Sequence, residues 1–215
     1  MAINYVLFDA ANTLIYKPEL FKNYIRILKE HGLNIGIDNL RRHHKIVSEL
    51  VKFPEKTSEE FYHSFNSEVL FSLGIIPYEK LLKDIFNACT YLKWDKYEDT
   101  KFLSEIELPL GVLSNFNNSL NGHIDELFGP LFKEIFVSAD IGLSKPAIEF
   151  FQHAIDRTGF SANEILYIGD SLKSDIAPGK AAGMHTYLID RVDLFDGYEN
   201  RITSLSNLKS ILHKF

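Results

Sequence analysis

Residues 5–14 read YVLFDAANTL, and this stretch decides the fold. Its four apolar residues, 5–8, are typical of a short strand that is buried on both faces of a sheet. Asp9 follows the strand directly, and Thr13 lies four positions further on. Because ligands of parallel sheets bind beyond the carboxyl ends of the strands, the stretch predicts a buried strand followed by a candidate site.

The part of the chain after Trp94 contains further apolar runs of this kind. Further strands are predicted at 109–114, 134–140, 164–171 and 185–190. Helical patterns such as 147–159 separate them. Strands that alternate with helices indicate βαβ units, so we predict an α/β fold with a parallel sheet.

The segment between these two parts, residues 20–91, is predicted to be helical because its apolar residues recur at helical spacing. The expected boundaries of its helices are an end at Gly32 and starts at Asp38, at Thr57 or Ser58 and after Pro77. The first strand has no partner until about residue 110. We therefore predict a helical insertion at 18–94 in a core formed by 1–17 and 95–215.

Composition and charge limit the function classes. Of the 215 residues, 46% are hydrophobic and 24% are charged, as in ordinary globular proteins. The net charge of −6 argues against nucleic acid as a partner, because phosphate backbones are bound by clustered Lys and Arg. No apolar run has the length of a membrane span, and a single cysteine, Cys89, fits a reducing compartment. We expect a cytoplasmic protein that binds no membrane, and the sequence indicates no particular oligomeric state.

Polar side chains follow the ends of three of the predicted strands, and a lysine opens the helix before the strand at 164–171. These residues are Asp9, Ser114, Asn115, Asp170, Asp175 and Lys145. Clustered carboxylates are costly unless a cation neutralises them, and Mg²⁺ binds carboxylates together with substrate phosphate. We therefore predict Mg²⁺ as the cofactor and phosphoryl chemistry as the reaction, with a carboxylate as the attacking group.

Four segments carry a family resemblance. FDAANT (8–13), LSN (113–115), SKP (144–146) and GDSLKSD (169–175), in this order, resemble the four motifs of the haloacid dehalogenase superfamily. The helical insertion resembles the C1 cap of that superfamily, so the likeness covers the whole chain. It implies a Rossmann-like, three-layer α/β core with a helical cap, and a hydrolase that acts on a small phosphorylated molecule.

The resemblance also implies roles for individual residues. Asp9 is expected to be the nucleophile that forms an aspartyl intermediate, and Thr13 is expected to hold its loop. Ser114, Asn115 and Lys145 are expected to bind the transferred group.

The expected metal ligands are Asp9, Asp170 and the main-chain carbonyl of Ala11. For Asp175, direct ligation and a supporting role beside the metal both stay open.

Ala11 is the departure from the family pattern. Phosphatases of this superfamily usually have a second Asp at this position, and it protonates the leaving group and later activates water. General acid–base catalysis contributes about 10²–10⁴ in rate, so we expect slow hydrolysis of alkyl phosphates and a smaller effect on acyl or aryl phosphates. Asn12 stands where a glycine is usual, and Asn adopts positive φ more readily than most residues, so the loop shape is expected to be retained.

Three alternative functions stay open. The dehalogenase branch also lacks the second Asp, but it works without metal and typically has Ser in place of Asp170 and Asn at the position of Leu172. The phosphonoacetaldehyde hydrolase branch carries Ala at this position and uses a cap lysine as a Schiff base, for which Lys45 and Lys52 are candidates. A phosphate-binding protein without turnover is the third alternative.

The predicted cap helix also carries RRHHK at 41–45. His43 or His44, titrating near neutral pH, is a candidate to contact the substrate and supply the missing proton, and a solvated basic face is the competing interpretation. Taken together, the sequence predicts a Mg²⁺-dependent phosphatase that acts through Asp9 and is weak or restricted to good leaving groups.

Overall fold

The first strand, β1, comprises Tyr5–Phe8, as predicted, and all four of its residues are buried. The other strands are β2 (Ile15–Tyr16), β3 (Asp95–Lys96), β4 (Leu110–Ser114), β5 (Glu134–Val137), β6 (Ile165–Gly169), β7 (His185–Ile189) and β8 (Arg201–Ile202). Six of them form one parallel sheet in the order β5-β4-β1-β6-β7-β8, and β2 pairs with β3 in a second, two-stranded sheet. The predicted parallel α/β fold is confirmed.

The computed structural model describes residues 2–53 and 57–215, and the chain divides into two compact units. The α/β unit contains the chain up to Tyr16 and Lys96–Phe215, and the helical unit contains Lys17–Asp95. Each boundary lies one residue from the predicted one. The function of the helical unit as a cap stays a prediction.

The helical unit consists of four helices, α1 (Leu20–Glu30), α2 (Ile37–Leu50), α3 (Glu59–Ser72) and α4 (Glu79–Cys89). Their apolar faces form one cluster, in which Tyr24, Leu28 and Phe65 are almost fully buried. Burial of a large apolar side chain contributes about 1.5–3 kcal/mol, so this cluster accounts for the association of the four helices. Among the helices of the described residues, none combines the length and the apolar character of a membrane span.

The α/β unit contains five further α-helices: α5 (Leu120–Phe128), α6 (Ser138–Ile141), α7 (Ile148–Thr158), α8 (Ala177–Ala181) and α9 (Leu208–Leu212). Helical segments of the 3₁₀ or π type lie at Glu98–Glu105, Ala162–Glu164, Leu172–Ile176 and Leu205–Asn207. Phe150 and Phe151 of α7 are fully buried in one cluster with Leu7 of β1 and Tyr167 of β6. The most central strands of the sheet are thereby fixed by packing from α7.

Some predicted boundaries are confirmed and others are wrong. Ser58, one of the two predicted starts of α3, is its N-cap. The Ser58 side chain accepts a hydrogen bond from the backbone N–H of Phe61 at 3.1 Å. Asp38 is not an N-cap, because α2 already begins at Ile37 after Gly36. The predicted end at Gly32 is confirmed, because Gly32 directly follows the C-cap His31 with φ +77° and its N–H donates to the carbonyl of Lys29 at 3.0 Å.

The strand predicted at 134–140 is shorter than expected. β5 ends at Val137, and Ser138 begins α6. The Ser138 hydroxyl accepts a hydrogen bond from the backbone N–H of Phe116 at 3.1 Å and donates to the carbonyl of Phe116 at 3.2 Å. These two hydrogen bonds connect the end of β5 to the loop after β4, at the point where the chain leaves the sheet.

Candidate active site

The site residues of the α/β unit lie where neighbouring strands end. β4, β1 and β6 are adjacent in the sheet, with Phe8 opposite Val112 and Ile168. Asp9 leaves β1 at the edge where β4 ends in Ser114. The Ser114 hydroxyl donates to Oδ1 of Asp9 at 3.2 Å, and both side chains are buried. The parallel arrangement of three strands therefore brings together residues that lie 105 positions apart in the chain.

Lys145 is the centre of this cluster. Its ammonium donates to Oδ1 of Asp9 at 2.6 Å, to Oδ1 of Asp175 at 2.6 Å and to the hydroxyl of Tyr167 at 3.2 Å. Its side chain is 4% exposed. A lysine ammonium has three N–H groups, so these three contacts use all of its donors. The lysine thus joins two carboxylates and a phenol in one buried network.

Burial and charge act in opposite directions on this network. Burial raises the pKa of Asp9, Lys145 lowers it, and Asp175 and Asp170 raise it, so that the net result is a pKa of about 7. Burial lowers the pKa of Lys145, but Asp175 and Asp9 more than compensate and hold it above its ordinary value. Lys145 is therefore a permanent cation, and it is the group that favours the ionised form of Asp9.

Tyr167 is a site residue that the sequence analysis missed. It lies in β6, is fully buried and donates from its hydroxyl to Oδ1 of Asp175 at 2.8 Å. Burial raises its pKa well above the ordinary value, so the phenol remains a hydrogen-bond donor. The only signal in the sequence is its place two residues before Gly169 on the same face of the strand, a pattern that equally describes a core residue.

Asp175 is held by donors on both carboxylate oxygens. Oδ1 accepts from Lys145 and Tyr167, and Oδ2 accepts from the backbone N–H of Ser171 at 2.9 Å. A Cβ atom at Gly169 would lie 2.4 Å from the carboxyl carbon of Asp175, so glycine is required there for the carboxylate to fit against the strand. These contacts favour the supporting role for Asp175.

Asp9, Asp170 and Asp175 form a cluster that could hold a metal ion. Among the described residues it is the only such group of three or more His, Cys, Asp or Glu side chains. One oxygen from each of Asp9, Asp170 and Asp175 lies within 4.8 Å of the others. Hard oxygen donors at this spacing suit Mg²⁺, which typically retains waters besides one or two carboxylates. The donor set therefore fits the predicted cofactor.

The loop after Asp9 keeps its shape without the usual glycine. Asn12 has φ +60°, which confirms the expectation of a positive φ at this position. The backbone N–H groups of Leu14 and Ile15 both donate to the carbonyl of Ala10, at 2.8 and 3.0 Å. The Thr13 hydroxyl donates to Oδ2 of Asp9 at 3.3 Å, so the loop supports the carboxylate that precedes it.

Asn115 holds Lys145 through the main chain. Its amide nitrogen donates to the carbonyl of Lys145 at 2.8 Å, and its amide oxygen accepts from the N–H of Lys145 at 2.7 Å. Both polar atoms of the side chain are thereby engaged. The structure places Asn115 as a support for Lys145, and the predicted contact with substrate stays a prediction.

The remaining predicted residues belong to the helical unit. His44 lies edge-on to Phe21 and Phe65, with ring centroids 5.2 and 4.9 Å away, and burial lowers its pKa to about 4. The expectation that His44 titrates near neutral pH is therefore wrong. Nδ1 of His43 is 3.1 Å from the hydroxyl of Ser72. A role of His43 towards substrate stays a prediction.

Comparison with known proteins decides the family. Residues 3–183 match the haloacid dehalogenase-like hydrolases. The chain belongs to this family. It is 42% identical over 197 residues to the glyceraldehyde 3-phosphate phosphatase of Methanocaldococcus jannaschii, an alignment that covers 86% of this chain and 83% of the relative.

Solved structures of haloacid dehalogenase-like proteins share the fold. YfnB from Bacillus subtilis, whose crystal structure contains magnesium, superimposes with a TM-score of 0.67 at 23% identity and covers 99% of this chain and all of its own. A 2-haloacid dehalogenase from Pseudomonas syringae gives 0.58 at 20% identity, with 99% of both chains covered. At these identities the likeness establishes the architecture and does not distinguish a phosphatase from a dehalogenase.

Proposed function

We propose that this hydrolase is a Mg²⁺-dependent phosphatase that acts on a small phosphorylated metabolite through Asp9. The charge of the site carries the proposal. Asp9, Asp170 and Asp175 present three carboxylates within 4.8 Å, and Lys145 supplies one permanent positive charge. With all three carboxylates ionised, as metal binding requires, two negative charges are left, which is the charge that a divalent cation neutralises. A dehalogenase that works without metal has no need of this surplus.

The residues around Asp9 suit a nucleophile. Ser114 and Lys145 both donate to Oδ1, and Thr13 donates to Oδ2, so the carboxylate is oriented before the substrate arrives. Oδ2, which has the weaker contact at 3.3 Å, is the oxygen that we assign to the attack on phosphorus. The new Oδ2–P bond forms as the ester P–O bond breaks, and the alcohol leaves as an alkoxide that must take up a proton.

Mg²⁺, when bound by Asp9, Asp170 and the carbonyl of Ala11, would neutralise the charge of the phosphoryl oxygens. Lys145 must exchange one of its three hydrogen bonds to reach a phosphoryl oxygen. Its contact with the neutral hydroxyl of Tyr167 is the longest of the three, at 3.2 Å, and is the one most easily given up. In the second step water attacks phosphorus, and Asp9 is regenerated with release of phosphate.

Ala11 decides which substrates are turned over. Its side chain has no proton to give to the departing oxygen, so the leaving group must be stable as an anion or obtain a proton from water. Acyl and aryl phosphates meet this condition. Glyceraldehyde 3-phosphate, which the M. jannaschii relative is named for, has a primary alcohol as its leaving group. We propose three-carbon sugar phosphates as the first natural substrates to test, with slow turnover.

The helical unit weakens one alternative. A Schiff-base lysine must be neutral to attack a carbonyl, and Nζ of Lys45 lies 2.7 Å from Oε1 of Glu49, with both side chains 13% exposed. This ion pair favours the charged form of Lys45. Lys52 is exposed. Neither residue therefore supports a phosphonoacetaldehyde hydrolase.

The test is a substrate panel with and without Mg²⁺. Acyl, aryl and alkyl phosphates, glyceraldehyde 3-phosphate, phosphonoacetaldehyde and 2-haloacids are each assayed with the wild type and with Asp9→Asn. We expect Mg²⁺-dependent phosphate release that is fastest for acyl and aryl phosphates and absent in the variant. Halide release without metal would establish a dehalogenase instead. Phosphate binding without any turnover would establish a binding protein.

A further inference from the structure

Arg191 is held by contacts that the proposed reaction does not explain. It follows β7 by two residues and lies in the α/β unit. Nη1 and Nη2 donate to the two oxygens of Asp99 at 2.9 and 3.1 Å, in a paired geometry. Nη2 also donates to the main-chain carbonyl of Thr13 at 2.6 Å. One guanidinium thus connects the nucleophile loop to a residue 86 positions further along the chain.

The path from Arg191 to the nucleophile is short. Arg191 fixes the carbonyl of Thr13, and the hydroxyl of the same threonine donates to Oδ2 of Asp9 at 3.3 Å. A shift of the Thr13 backbone therefore moves the hydroxyl that orients the attacking oxygen. Side-chain position at a nucleophile is sensitive to such shifts, because misplacement by about 1 Å can cost on the order of 100-fold in rate.

The partners of Arg191 are themselves fixed. Oδ2 of Asp99 accepts from the hydroxyl of Ser204 and the backbone N–H of Leu205, each at 2.9 Å. Burial raises the pKa of Asp99, but the hydrogen bonds and charge of Arg191, helped by these two donors, hold it below its ordinary value. Asp99 is therefore an ionised anchor, tied to the C-terminal segment, for the guanidinium.

Aromatic stacking fixes the plane of the guanidinium. Its central carbon lies 3.6 Å from the ring centroid of Tyr97, and Tyr97 stacks on Tyr16 at 4.3 Å with 16° between the rings. The N–H of Tyr97 donates to the carbonyl of Leu14 at 3.0 Å. A lysine offers one point charge and neither the paired donors nor the flat face, so it cannot reproduce this arrangement.

We propose that Arg191 is a positioning residue for the reaction: it holds the nucleophile loop at Thr13 and thereby orients Asp9. The inference rests on the proposed function for its kinetic readout only. Arg191 and Asp99 touch neither the carboxylate of Asp9 nor the groups that bind phosphate. Their loss is therefore expected to reduce kcat and to leave substrate and Mg²⁺ affinity nearly unchanged.

The experiment compares Arg191→Ala, Arg191→Lys and Asp99→Asn with the wild type. Arg157→Ala is the matched control, because Arg157 is 61% exposed and its nearest carboxylate oxygen, on Glu134, is 3.7 Å away. For each protein, kcat and KM are measured with p-nitrophenyl phosphate, Mg²⁺ affinity is measured by calorimetry, and amide hydrogen exchange is followed in residues 8–16.

Arg191→Ala and Arg191→Lys are expected to lower kcat on the order of 10- to 100-fold, with KM and Mg²⁺ affinity close to wild type. Exchange in residues 8–16 should become faster in both variants and remain unchanged in Arg157→Ala. Guanidinium ion at millimolar concentration should restore part of the kcat of Arg191→Ala and none of that of Arg191→Lys, whose side chain occupies the space.

A wild-type kcat in Arg191→Lys, or an equal loss of Mg²⁺ affinity and kcat, would overturn the inference. If the wild type shows no turnover of any phosphate, the proposed function fails. Hydrogen exchange then still tests whether Arg191 holds the nucleophile loop. In that case, unchanged exchange in residues 8–16 of the Arg191 variants would overturn the inference about Arg191. If Arg191→Ala does not fold, Arg191→Lys and Asp99→Asn give the same comparison.

Discussion

Replacement of His44 should remove an acid sensitivity of the helical unit. Burial between Phe21 and Phe65 lowers the pKa of His44 to about 4 in the folded protein, against about 6.5 in an unfolded chain. Between these two values the unfolded chain binds a proton that the folded protein does not. The contribution of His44 to stability is therefore complete above pH 6.5 and is lost as the pH falls towards 4.

The size of the effect follows from the two pKa values. Lowering the pH to 5 should reduce the free energy of unfolding by about 2 kcal/mol through His44, and lowering it to 4 should reduce it by about 3 kcal/mol. In His44→Phe this loss disappears. Any change in packing caused by the new ring is independent of pH, so it shifts the stability of the variant by a constant amount.

The assay is urea denaturation between pH 4.5 and 7.5, followed by tryptophan fluorescence. Trp94 is the one tryptophan of the chain and belongs to the helical unit, so it reports on the unit that contains His44. All other titrating groups are common to both proteins and cancel in the difference. A constant difference between wild type and variant over this range would refute the reasoning and would make His44 a candidate proton donor again.

Three further predictions concern the site. Ala11→Asp should raise the rate of alkyl phosphate hydrolysis, by up to about 100-fold in steady-state assays, because it supplies a general acid; an unchanged rate would mean that another group already does so. Asp9→Asn should abolish turnover and the phosphoenzyme detected by mass spectrometry. Lys145→Met should destabilise the metal-free protein by roughly 3–5 kcal/mol in circular dichroism melts, since Asp9 and Asp175 lose their counter-charge, and Mg²⁺ should restore more stability to the variant than to the wild type.

The sequence predicted the sheet and much of the site because local patterns determine them. The strand at Tyr5–Phe8, the acid after it and the motif at 169–175 are visible as apolar runs that end in polar residues. In a parallel sheet such ends lie on one edge, so their convergence follows from topology. The positive φ of Asn12 was predictable for a similar reason, since few other residues replace glycine there.

The residues that were missed depend on pairs that are distant in sequence. Tyr167 lies in a buried strand and is indistinguishable from a core aromatic until Asp175 and Lys145 are placed beside its hydroxyl. Arg191 and Asp99 are 92 residues apart, and each alone resembles a solvated charge. His44 shows the opposite error, because its place in RRHHK indicates an exposed basic face, whereas packing puts its ring against two phenylalanines.

Because Ala11 cannot donate a proton, the protonation states of the neighbouring groups bear on which leaving groups the site can expel. Lys145 has a raised pKa because of Asp175 and Asp9, which outweigh its burial, and burial raises the pKa of Tyr167. Neither group is matched to general acid catalysis at neutral pH, which is most effective when the pKa of the acid lies near the working pH. His44, with a pKa of about 4, is almost entirely neutral there. Under the proposed function, with none of these three groups poised near neutral pH, water or the substrate itself is the expected source of the proton for the leaving group. This favours substrates whose leaving oxygen is acidic, and it makes the ratio of aryl to alkyl phosphate turnover the quantity that Ala11 controls.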